Sequence, residues 1–133
     1  MRVPYDNVKH LWHGTRATDP KLIISKDKEG FDANFSSEGM WGKGFYAAVN
    51  ASYSNDYRHR VTANNFEFFF VRMNLGKEIF MTYDYKNTDK TRKLQRPPGD
   101  HDSVKGNTGG SDVYIVYHNK QTYPEYLISY TNY

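Results

Sequence analysis

The chain of 133 residues contains no cysteine. Disulfide scaffolds, thiolate zinc sites and cysteine nucleophiles are therefore excluded, and the composition fits a reducing setting, intracellular and either cytoplasmic or nuclear. No apolar run approaches the roughly 20 residues that cross a bilayer, and the start of the chain lacks the apolar core of a signal peptide. An integral membrane protein and a membrane partner are accordingly not expected. No segment recurs with a period of roughly 20 to 50 residues, so solenoids and propellers fall away. Charge of one sign is also scarce: 18 basic residues against 15 acidic ones leave a formal +3, a weak pull toward anionic ligands.

Aromatic residues are plentiful. Twelve Tyr, eight Phe and two Trp make 17% of the chain, against 38% hydrophobic residues in all. Charged residues stand at 25%, an ordinary globular value. The length suits one domain over residues 1–133 with a single core, and a monomer is expected.

Along the chain, Val8 to His13 reads as a short strand ending at Gly14, and Asp19-Pro20 as a helix start. Residues 32–44 are rich in Gly, Ser and Asn and read as a loop entering a strand at Gly44-Phe45-Tyr46. Asn50 is placed to cap a second short helix through about Tyr57. Phe66 to Met73 is the strongest strand signal, with another expected over Glu78–Tyr83. Residues 84–100, ending in Pro97-Pro98-Gly99, read as a long surface loop. Val113–Tyr117 and Tyr126–Tyr130 complete the strands, joined by a polar turn at Asn119-Lys120. Five or so strands and two short helices, without regular β-α alternation, indicate an α+β fold on antiparallel sheets.

Several constellations have ordinary explanations. His10 and His13 face opposite sides of a strand and have no thiolate to complete a tetrahedral site, so no metal is expected. Gly39, Gly42 and Gly44 precede a strand instead of following one, which fails the dinucleotide-binding context. Lys86, Lys90, Arg92, Lys93 and Arg96 make a basic loop, read as a solvated surface ahead of a nucleic-acid patch.

The informative feature is an ordered set. It runs Leu11-Trp12-His13-Gly14-Thr15, Gly30-Phe31-Asp32, then Gly39 to Tyr46, Asn50 to Ser54, and Tyr57. Near the end come His101-Asp102-Ser103-Val104 and Gln121 to Ile128. In this order and spacing the set resembles the catalytic domain of the poly(ADP-ribose) polymerase-like ADP-ribosyltransferases, the diphtheria-toxin-like branch, over roughly residues 8–131. The resemblance implies the split antiparallel β-sheet ADP-ribosyltransferase fold with short helices. It also implies NAD+ as co-substrate, with no separately bound cofactor.

By the same resemblance, Gly14 pairs its backbone with the nicotinamide carboxamide and Ser54 completes that grip. Tyr46 and Tyr57 bracket the nicotinamide ring, and His13 bonds the adenosine-side ribose. Thr15 and Arg16 stand beside the adenosine moiety. His13 and Tyr46 are the first two members of the family's His-Tyr-Glu triad. Counting back from Gln121, the third position is Val113; Asp112 beside it points to the other face, and Glu125 matches a non-catalytic residue of the next strand. Valine removes the lone pairs that polymer elongation requires, so a mono-ADP-ribosyltransferase acting on a protein side chain, itself included, is expected. The alternatives are a catalytically weak or inactive NAD+/ADP-ribose-binding pseudoenzyme and a transferase acting on nucleic acid.

Overall fold

Alternating side chains from Asn65 to Asn74 make a ten-residue strand that buries Phe69, Val71 and Met73 on one face and carries the rings of Phe66, Phe68 and Phe70 on the other. Around it the computed structural model describes residues 7–15, 20, 37–51 and 58–131. These residues hold nine strands: β1 (Val8–His13), β2 (Ser37–Gly39), β3 (Gly42–Ala48), β4 (His59–Arg60), β5 (Asn65–Asn74), β6 (Glu78–Phe80), β7 (Ser103–Thr108), β8 (Ser111–Val116) and β9 (Thr122–Thr131). The sheet runs β4-β5-β1-β3-β8-β7-β6, with β2 paired to β3 and β9 to β5.

Two half-sheets meet at a narrow seam. Strand β1 pairs with β5 over six residues, Val8 opposite Asn74 to His13 opposite Phe69. It touches β3 through the single pair Trp12–Ala48. On the far side β3 pairs with β8 from Phe45–Val116 to Ala48–Val113. The split sheet expected from the resemblance is therefore present.

The core lies on both faces. One cluster joins Leu11, Phe45, Ala47, Phe69, Val71, Met73, Leu75, Tyr114 and Val116. The other joins Trp41, Ala48, Tyr83, Val104, Val113 and Ile115, with Tyr46 and Tyr117 packed against it. Strand β8 feeds both, which is why it reads as a near-continuous apolar run. Aromatic pairs tie β1, β5 and β9 on the side of that half-sheet away from Leu11, Phe69 and Val71: Trp12 lies 4.7 Å from Phe70, and Phe66 stacks on Tyr130 at 5.5 Å.

Four readings need correction. Residues 37–39 belong to a hairpin strand, and β3 starts at Gly42, because Ser37–Gly44 to Gly39–Gly42 pairing overrides the loop-like composition. Strand β6 stops at Phe80; Met81 still donates to the Lys105 carbonyl at 2.9 Å, and the chain then leaves the sheet so that Tyr83 packs against Trp41. The β6–β7 pair is parallel, so the sheet is not wholly antiparallel. Strand β7 and the short β4 were not anticipated. The 84–100 loop is confirmed apart from one helical turn, Asp89–Arg92. Apart from Pro20 and Ala51, the two expected helices fall outside the described residues.

Candidate active site

The seam brings together the residues expected at the triad positions. His13 ends β1, and its ring lies 4.2 Å from that of Phe45. Its Nδ1 sits 2.5 Å from the Tyr46 carbonyl, bridging the gap where β1 and β3 separate. A carbonyl only accepts, so Nδ1 carries the proton. Burial lowers the His13 pKa to about 4, against the opposing pull of the Tyr46 carbonyl. The ring is thus neutral at pH 7, and Nε2 is the accepting nitrogen. Gly14 is half-buried and Thr15 buried directly after it.

Tyr46 lies on β3 with its side chain on the opposite face from Phe45. Its hydroxyl accepts from the Trp41 N–H at 2.9 Å and donates to the Gly42 carbonyl at 2.7 Å. Burial pushes this phenol well above its ordinary pKa, so it stays protonated. Gly39 leaves the ring its place: a Cβ there would stand 2.9 Å from the Tyr46 hydroxyl. Tyr46 and His13 are therefore joined by ring to backbone, not by ring to ring.

Val113 on β8 is 1% exposed and packs in the same cluster as Tyr46, Ala48 and Ile115. The neighbouring Asp112 turns away. Its Oδ1 accepts from Asn107 Nδ2 at 2.9 Å, and its Oδ2 lies 3.8 Å from Lys105 Nζ. Glu125 is on β9, paired with His10 at 3.1 Å and Arg72 at 3.6 Å. Arg16, Ser54 and Tyr57 lie outside the described residues.

The basic loop is largely self-engaged. Lys90 sits 3.6 Å from Asp84, Lys93 3.3 Å from Asp89, and Arg92 Nε donates to the Tyr83 hydroxyl at 2.8 Å. Two residues of the site's support went unassigned from sequence, Trp41 and Tyr117. Tyr117 donates to the Trp41 carbonyl at 2.6 Å, and Trp41 Nε1 donates to the Met81 carbonyl at 2.9 Å. The only hints available were the place of Trp41 within the quoted Gly39 to Tyr46 motif and that of Tyr117 at the end of the expected Val113–Tyr117 strand.

Comparison with known proteins agrees with this geometry. The chain is 43% identical over 122 residues to a probable poly [ADP-ribose] polymerase of Dictyostelium discoideum, covering 90% of this chain and 33% of that protein. It is 31% identical over 132 residues to the protein mono-ADP-ribosyltransferase PARP14 of Homo sapiens, covering 93% of this chain and 7% of that one. It is 29% identical over 151 residues to the protein mono-ADP-ribosyltransferase PARP11 of Mus musculus, covering 96% and 44% respectively. The chain thus spans less than half the length of these relatives. The family model for the Poly(ADP-ribose) polymerase catalytic domain matches residues 4–132, nearly the whole chain, and the protein belongs to that family.

Proposed function

We propose that this domain breaks the bond between nicotinamide and ribose in NAD+ and transfers one ADP-ribose to a protein side chain, its own included. The electron pair of the breaking C1′–N bond leaves with the pyridinium nitrogen, releasing neutral nicotinamide. No strong general acid is needed, because the leaving group is already cationic. The ribose carries the developing positive charge, and an acceptor carboxylate closes the new bond at C1′ without first losing a proton. In this reading the Tyr46 and Tyr57 rings hold the nicotinamide, Gly14 and Ser54 its carboxamide, and His13 Nε2 accepts from the adenosine-side ribose. Thr15 and Arg16 flank the adenosine.

The observation that carries transfer of one unit over polymer growth is Val113. A buried hydrocarbon stands at the position expected for the triad carboxylate, and the adjacent Asp112 is held on the opposite face by Asn107 and Lys105. A ribose hydroxyl, unlike a carboxylate acceptor, needs a base to become nucleophilic. The human and mouse relatives are named as mono-ADP-ribosyltransferases, which supports the same reading. The self-engaged basic loop favours a protein acceptor over nucleic acid.

Mass spectrometry of the protein after incubation with NAD+ tests this. Single ADP-ribose adducts are expected, absent from a His13→Ala control, and Val113→Glu should lengthen them. A ladder of longer chains on the wild type sinks the mono-transfer reading. Turnover no higher than the control sinks the transferase reading.

A further inference from the structure

We infer that Tyr117 is a positioning residue for nicotinamide binding, acting through the Trp41 peptide on the ring of Tyr46; this rests on the proposed contact between Tyr46 and nicotinamide. The β2–β3 turn at Met40-Trp41 is held by two phenols, one on β3 and one just past the end of β8. Tyr46 takes the Trp41 N–H and gives its own proton to the Gly42 carbonyl. Tyr117, just beyond β8, gives its proton to the Trp41 carbonyl. Both sides of one turn residue are therefore gripped, each by a hydroxyl in a mostly apolar cluster.

Two consequences follow for Tyr46. Its single hydroxyl proton is committed to Gly42, so it offers a substrate its ring face and not a proton. The pose of that face depends on where the Trp41 peptide stands. Trp41 in turn is fixed to the other half of its own half-sheet. Its indole donates to the Met81 carbonyl, and its ring covers Gly106 so closely that a Cβ there would lie 2.2 Å from it. Gly44 leaves room for the crossing phenol, since a Cβ at that position would be 3.1 Å from Tyr117 Cδ1. The hairpin beside the site is stapled to β7 and β8, and the Tyr117 hydroxyl closes the staple.

Tyr117→Phe keeps the ring and deletes that hydroxyl. Losing one buried hydrogen bond of about 1 to 1.4 kcal/mol corresponds to roughly a five- to tenfold change in affinity. In the full chain, KM for NAD+ and the calorimetric Kd of a benzamide that mimics nicotinamide are expected to rise by about that factor, with kcat within about twofold of wild type. If the hydroxyl only satisfies a buried carbonyl, Tm falls and KM and Kd do not move, which overturns the positioning role and leaves the NAD+ reading standing. A wild type that binds neither NAD+ nor the benzamide overturns both. Should Tyr117→Phe fail to fold, Trp41→Phe, which removes only the indole bond to Met81 and some ring area, is read by the same KM and Kd criteria.

Discussion

At Gly106 a hydrogen stands where any other residue would place a carbon 2.2 Å from the ring of Trp41, a side chain only 1% exposed and bonded to Met81. The indole has no room to retreat. Gly106→Ala should cost about 1 to 3 kcal/mol, the usual scale of overpacking a core, read as a lower urea midpoint with a shift in tryptophan emission. At the same scale His13 and Tyr46 were singled out by motif order, which needs only residue type and spacing along the chain. Tyr117 was not recognisable as Trp41's partner. Its bond joins residues 76 apart in sequence, and nothing in a tyrosine's neighbours announces a distant carbonyl.

Among elements, composition misread the β2–β3 hairpin. Its glycines suggested a loop, yet each permits a close approach: Gly39 to the Tyr46 ring, Gly42 to the Leu94 carbonyl and Gly44 to Ile115 and Tyr117. Gly42 adopts φ 86° and faces the Leu94 carbonyl, which a Cβ would meet at 2.0 Å, while the Lys43 N–H donates to that same carbonyl at 3.1 Å. Gly42→Ala is therefore expected to destabilise by more than about 1 kcal/mol and to release the 84–100 loop. Limited proteolysis should then cut at Lys90 to Arg96 faster than in wild type. Strand β7 was missed for the same reason. Its glycine and asparagine argue against a strand, but Gly109-Gly110 at φ 58° and 76° between Thr108 and Ser111 is a two-residue hairpin signal that could have revealed it. The parallel β6–β7 pairing had no such local marker, since the partner strands lie about 25 residues apart across an irregular loop.

For the whole molecule, the seam between half-sheets links the site to global stability. One backbone pair, Trp12–Ala48, and the His13–Tyr46 contact join β1 to β3. Burial holds the folded His13 pKa at about 4 against an ordinary 6.5, so between those values the unfolded chain binds more protons than the folded one. The stability contributed by neutral His13 is complete above about pH 6.5 and is lost as pH falls toward 4, with no further loss from this group below that. Urea unfolding from pH 7.5 to 3.5 should show this decline in the wild type and a shallower one in His13→Gln. Equal slopes would mean that the imidazole is not held neutral in the seam.

The amino-acid sequence alone determined the family, the α+β class and the long strand over Phe66–Met73, and it pointed to Val113 as the expected third position of the triad. Those properties rest on residue type and order, which folding does not alter. Only the tertiary structure decided that Asp112 is engaged by Asn107 and Lys105, that the sheet divides at a single pair, and that Tyr117 grips the peptide behind Tyr46. Each depends on which carbonyl or side chain comes to lie within about 3 Å, a distance set by strand pairing between segments far apart in the chain.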